Sequence, residues 1–306
     1  MTGKHSHPIR DILEEAARDL QPKRITCAFD RDLGRLEAEI LLCHVLKEDL
    51  AWLLTHSEYQ VPGTKYVAFR RLVSRRKRHE PVAYIIGHRG FFDEDFLTDK
   101  RALIPRPETE LLVELALDRL RGEPSSRDLV WDVGTGTGAV AISIAKRIAP
   151  RKVLATDISA GALSLAKKNA ARLRVRNVTF LKADLLDSSV LRTLDRYRLP
   201  STVYRLIITA NLPYLPMGDR KRLEPDVTKY EPGSALFTSH GGLALIEKFL
   251  RQLASFDVHF ASAFLEFDPP QVKRIRLLAR SLFPHSTLRI HKDLAKRDRV
   301  LEITNR

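Results

Sequence analysis

Apolar positions at the start of the chain fall at helical spacing. Ile9, Ile12, Leu13, Ala16 and Leu20 share one helix face. Asp32 is placed to cap a second helix carrying Leu36, Ile40, Leu41, Val45 and Leu46. Ala51–Leu54 and Tyr66–Arg78 predict two more, so residues 1–80 read as a small helical domain, a substrate-recognition module without catalytic motifs. From Pro81 the pattern changes. Val82-Ala83-Tyr84-Ile85-Ile86 and Gly90-Phe91-Phe92, parted by Gly87-His88-Arg89, predict a β-hairpin in a linker over residues 81–103. An apolar helix over Leu111–Leu120 follows, with Pro107 near its start.

Beyond Asp128, short apolar strands alternate with helices. Leu129–Asp132, Val153–Thr156, Val178–Leu181, Leu206–Thr209 and Ala263–Phe267 read as strands. Ala139–Ile148, stopped by Pro150, Ala160–Leu173, Leu243–Leu253 and Pro269–Leu282 read as helices. Thr287–Ile290 and Arg299–Ile303 close the chain as strands with no helix between them, which requires one antiparallel strand. The alternation predicts a doubly wound, mostly parallel, seven-stranded sheet: a Rossmann-like α/β domain over residues 104–306.

With 306 residues the chain has room for two domains. Its hydrophobic share of 44% is ordinary for a globular protein, and no apolar run is long enough to span a membrane. The polar stretch Met1–Arg10 lacks a signal peptide's apolar core, and two cysteines, Cys27 and Cys43, are too few for a disulfide framework. Both facts fit a cytoplasmic protein. Ten scattered histidines show no ligand spacing, so no metal is expected. The net charge of +14 adds something: it favours transient contact with RNA or the ribosome through a basic surface. The densest run is Arg70, Arg71, Arg75, Arg76, Lys77 and Arg78. At a helix end such a run equally suits the dipole and a solvated face.

The candidate chemistry sits where the predicted strands end, the usual place for ligands in open α/β sheets. After the first strand comes Gly134-Thr135-Gly136-Thr137-Gly138, where glycines let the backbone turn and approach a ligand. Gly134, Gly136 and Ala139 fit the dinucleotide pattern, so a nicotinamide enzyme is one reading. Asp157 ends the second strand, 23 positions after Gly134, and can accept from ribose hydroxyls of NAD or S-adenosylmethionine alike. Asp184 ends the third, where an acceptor could meet an adenine amino group. The fourth ends in Asn211-Leu212-Pro213-Tyr214. The Asn211 side chain and the Leu212 carbonyl are acceptors for an NH2 group, Pro213 stiffens the turn, and Tyr214 can wall a slot for a planar group. A dehydrogenase needs a proton donor there instead. This end favours methyl transfer to nitrogen, with S-adenosyl-L-methionine as donor.

The chain resembles the peptide chain release factor N5-glutamine methyltransferase family over almost its whole length. The resemblance rests on Asp32–Leu42, on Glu80–Gly87, on the specific Ile104-Pro105-Arg106-Pro107-Glu108-Thr109-Glu110 signature, on Asp132–Gly138 and on Lys292–Val300. It implies that Gly134–Gly138 and Asp157 hold S-adenosylmethionine, with Leu185 over the adenine beside Asp184. It implies that Asn211 and Tyr214 frame a glutamine amide, with Leu212, Pro213, Arg106 and Glu108 in the substrate site. The substrate would be the Gly-Gly-Gln loop of a release factor, docked with help from the helical domain. One departure is Leu212, where the family's Asn-Pro-Pro-Tyr has proline. Asn-Leu-Pro-Tyr also resembles the adenine-N6 dimethyltransferases of ribosomal RNA, which lack the Ile104–Glu110 signature. Other readings are a ribosomal-protein glutamine methyltransferase, or a binding protein that kept the fold without turnover.

Overall fold

The computed structural model describes residues 7–21, 28–121, 128–148, 152–196, 205–255 and 260–305. Cys27 and Pro150 lie outside the described residues. The chain divides into two units. One runs to Gly87 and includes Glu224–Tyr230; the other spans His88–Leu223 and Glu231–Arg306.

The first unit is helical: α1 (Ile9–Leu20), α2 (Ala28–Leu46), α3 (Leu50–Thr55), α4 (Gly63–Lys77) and α5 (Val82–Ile86). Ile12, Leu13 and Ala16 of α1 meet Leu41 and Leu42 of α2 and Phe69 and Val73 of α4 in one core. The second helix begins at Ala28, so Asp32 lies within it rather than at its cap. No glycine or proline interrupts Ala28–Asp32, and the helix runs back over that stretch. Leu36, expected on the buried face, is 46% exposed. Most of the basic run is engaged inside the unit. Arg70 binds Asp19 at 2.9 Å, Arg76 binds Glu37 at 2.8 Å, Lys77 binds Asp19 at 2.9 Å, and Arg75 grips Glu80 through two nitrogens.

Val82–Ile86 is a helix, not the strand its β-branched residues predict. Pro81 pre-sets the entry, Gly87 ends the turn at φ 84°, and Ile85 is buried in the helical core. Packing overrides propensity over five residues. The hairpin lies further on, β1 (His88–Phe91) against β2 (Glu94–Leu97). Phe92 and Asp93 turn it with both φ positive, 48° and 64°, as a primed two-residue turn requires.

The second unit carries a seven-stranded sheet. Its strands are β3 (Asp128–Val133), β4 (Lys152–Asp157), β5 (Val178–Lys182), β6 (Arg205–Ala210), β9 (Ser262–Glu266), β10 (Thr287–Lys292) and β11 (Asp298–Thr304). Two-residue strands β7 (Leu215–Pro216) and β8 (Phe237–Thr238) pair separately. The sheet order is β10-β11-β9-β6-β3-β4-β5, parallel except for β11, which runs against both neighbours. β3 is buried along its whole length, as a central strand covered on both faces must be. One face packs on Ala244–Ser255 and Val272–Leu282, through Phe249, Leu250, Ile275 and Ala279. The other packs on α6 (Glu110–Arg119) and α7 (Ala139–Arg147), through Leu112, Val113, Ile142 and Ile144. A helix the periodicity did not reveal, Ser188–Arg196, adds Val190 and Leu194 to the first face.

Candidate active site

A cavity of about 520 Å³ opens at the carboxyl ends of β3, β4, β5 and β6. Its wall includes Gly134, Thr135, Gly136, Thr137, Asp157, Asp184, Leu185, Asn211, Leu212, Pro213 and Arg106. Gly138, Tyr214 and Glu108 are not in that wall. Gly138 caps α7 at φ 82°, and a Cβ there would meet Ile142 at 2.7 Å. Glu108 instead faces Arg297 at 3.4 Å.

The glycine turn after β3 follows from two constraints. Gly134 has φ 71°, and a Cβ on it would come within 3.2 Å of the Leu212 side chain. The turn and the β6 end therefore approach closely, and Leu212, only 4% exposed, joins the core beneath them. Around this turn lie polar atoms with nowhere to go. Asp132 Oδ1 accepts from Thr209 at 2.8 Å, but Oδ2 is buried without a partner, as is the Thr135 hydroxyl. Burial pushes the Asp132 carboxyl up to about 6. Asp157 accepts the N–H of Gly136 at 2.9 Å and of Ser159 at 2.8 Å, and burial raises its pKa too. Asp184 binds Lys248 at 2.6 Å at the rim. Leu185 holds a left-handed backbone, φ 55°, unusual for a branched side chain.

The end of β6 is held by residues of the signature that precedes α6. Asn211 Nδ2 donates to Thr109 Oγ1 at 2.9 Å. The Asn211 amide thus turns its nitrogen to the protein and keeps Oδ1 as its remaining polar atom. The Leu212 carbonyl accepts no hydrogen bond among the described residues. Tyr214 lies behind the cavity, its phenol donating to Glu266 Oε1 at 3.0 Å; burial and that carboxylate raise its pKa well above the usual phenol value. Gln271 Nε2 binds the Tyr214 carbonyl at 2.8 Å. Gly242, at φ 86°, leaves that carbonyl its space, because a Cβ would stand 2.0 Å from it. Glu231 gathers the signature's front: Ile104 N–H donates to it at 3.1 Å, and Arg106 pairs with it.

Sequence reasoning missed Thr109, Glu231, Glu266, Gln271 and Asp132 as parts of this site. The available signal was polarity in the wrong place. Glu266 is an acid in the apolar strand Ala263–Phe267, and Gln271 follows two prolines at the start of the predicted helix Pro269–Leu282.

An electrophile with a polar tail fits a trough lined by unpaired acceptors, and this sheet with its single reversed strand is the Rossmann-like methyltransferase architecture. Residues 130–223 match the methyltransferase domain family, and residues 11–87 match the PrmC N-terminal domain. The release factor glutamine methyltransferase of Xylella fastidiosa (strain 9a5c) is 39% identical over 219 residues, 72% of this chain and 74% of that protein. The enzyme of that name from Rhodopirellula baltica is 34% identical over 272 residues, 88% of each chain. Among solved structures, the catalytic domain of hMettl16 in complex with MAT2A 3'UTR hairpin 6 shares the fold, with TM-score 0.52 and 13% identity over 79% of this chain and 82% of that one. The chain belongs to the release factor glutamine methyltransferase family.

Proposed function

We propose that this chain transfers a methyl group from S-adenosyl-L-methionine to the side-chain amide nitrogen of a glutamine in a peptide chain release factor. The observation that carries the reading is Asn211, which lines the cavity with its nitrogen tied to Thr109. The cavity suits the cofactor: Asp132 Oδ2 and Thr135 Oγ1 are buried acceptors without partners, and Gly136 leaves open space where a side chain would stand. Gly134 to Thr137, Asp132, Asp157, Asp184 and Leu185 would hold it. When bound, the cofactor supplies a methyl group on a positively charged sulfur, already a good leaving group.

The protein's task is then to prepare a poor nucleophile. An amide nitrogen shares its lone pair with its carbonyl. Asn211 Oδ1 and the Leu212 carbonyl each accept one N–H, fixing the nitrogen and opposing its conjugated form as positive charge builds. Fixed dipoles of this kind lower a barrier because they need no reorganisation, and positioning alone is worth about 7–11 kcal/mol in favourable cases. The methylated nitrogen sheds a proton readily, so no strong base is required. Pro213 lines the cavity beside them.

The test is incubation of the purified protein with a release factor, ribosomal proteins, total RNA and methyl-labelled cofactor. Label on the glutamine of a Gly-Gly-Gln sequence is expected. Label on RNA adenines instead, or on a ribosomal protein only, overturns the substrate assignment.

A further inference from the structure

Strands β6 and β9 are parallel neighbours with Ala210 opposite Leu265. Asn211 and Glu266 therefore stand side by side where these strands end. Glu266 is 1% exposed. One of its oxygens accepts the Tyr214 phenol at 3.0 Å, while Oε2 is buried with no hydrogen-bond partner. Thr109 is buried as well, and its oxygen accepts from Asn211. The Thr109 hydroxyl proton still needs an acceptor, and no other hydrogen bond of that hydroxyl is present among the described residues. Thr109 is one of the groups that favour ionised Glu266 against its burial, with Tyr214 and Arg299 acting the same way and Glu108 opposing.

An asparagine amide can rotate by half a turn, exchanging its oxygen and nitrogen. A threonine hydroxyl both donates and accepts, so by itself it does not choose between the two. A carboxylate only accepts. We infer that Glu266 is a positioning residue: ionised, it takes the Thr109 proton, leaves Thr109 able only to accept from Asn211, and so fixes Asn211 Oδ1 toward the nucleophile. This deepens the glutamine-methylation reading and rests on it for its catalytic consequence. Glu266→Gln keeps the shape but can donate to Thr109, whose proton then turns to Asn211 and favours the rotated amide. A chain of three side chains, of which Glu266 and Thr109 are buried, thereby stores the polarity of the site.

The experiment is a double-mutant cycle on Glu266→Gln and Thr109→Val, with melting temperature followed for folding. Each single variant is expected to lose roughly 10- to 100-fold in kcat, with the cofactor KM little changed. The double variant should be no slower than the slower single, within about threefold, because both act on one hydrogen bond. Thr109→Ser should recover most of the rate lost in Thr109→Val. Multiplied losses in the double variant, or full kcat in Glu266→Gln, overturn the inference. Neutron diffraction on the deuterated wild-type protein decides it independently of substrate: the Thr109 deuteron toward Glu266 supports it, and the deuteron toward Asn211 overturns it. If the wild type leaves glutamine unmodified, the functional reading fails while the deuteron position still settles Glu266.

Discussion

Two buried glutamates on adjacent strands, Glu302 and Glu266, are treated in opposite ways. Each is 1% exposed, and the strands that carry them pair directly, Glu302 lying opposite Phe264 and Val300 opposite Glu266. Both oxygens of Glu302 are paired with hydrogen-bond partners. It accepts from Arg119, and from His291 at 2.8 Å. Burial works to raise its pKa, but His291 and Arg119 outweigh burial and hold the carboxyl at about 2. Glu266 receives a phenol and lies near a threonine, and Arg299, the nearby cation, is spent on Asp293 at 3.2 Å. Burial leaves its pKa raised. A carboxylate whose two oxygens are both paired holds structure together. One that is left partly unpaired beside a cavity keeps accepting capacity for orienting its neighbours.

The largest effect should come at the Glu266 end and fall on rate. Asn211→Ala is expected to lower kcat roughly a thousandfold, about 4 kcal/mol of transition-state stabilisation, with cofactor affinity kept within about tenfold. Its urea midpoint should stay near that of the wild type. A full-rate variant would remove Asn211 from the chemistry; a variant that merely unfolds would make this end structural like the other.

The next effect should come at the Glu302 end and fall on stability. Its folded pKa lies below its unfolded one, so its contribution is complete above about pH 4.5 and is lost as pH falls toward about 2. The difference corresponds to roughly 3 kcal/mol. Urea midpoints measured down to about pH 3 should fall more steeply for the wild type than for Glu302→Gln, which is already weakened at neutral pH. Parallel curves would mean that Arg119 and His291 do not stabilise the charge.

The frame of the second unit was legible in the sequence because alternating apolar runs and glycine turns are local signals. All seven strands fall where the pattern puts them, and Gly134, Asp157, Asp184 and Asn211 reach one cavity because strand ends converge in this fold. What stayed hidden depends on distant partners. Val82–Ile86 looks like a strand until its burial against helices decides otherwise. The helix-start reading of the signature rested on Pro107 and gave no role to Thr109, whose partner Asn211 is 102 positions away. Glu266 and Gln271 are polar residues whose purpose appears only once β9 lies beside the end of β6.

The smallest effect should come from restoring the family's proline, Leu212→Pro. It tests whether the β6 end works through hydrogen-bond partners or through a stiff backbone. The Leu212 N–H donates no hydrogen bond among the described residues, so proline removes none of those. Proline would narrow the unfolded ensemble and fix φ before Pro213, a gain of about 0.4–1 kcal/mol where the geometry allows it. Against this, the buried leucine side chain that approaches Gly134 would be replaced by a shorter ring, leaving a small void. The two changes nearly offset, so stability should move by no more than about 1 kcal/mol. With both acceptors retained, kcat on a release factor should change less than about threefold, well below the loss in Glu266→Gln. A gain of tenfold or more would mean that backbone rigidity limits this end, and that the contrast with Glu302 lies in the turn rather than in the unpaired carboxylate.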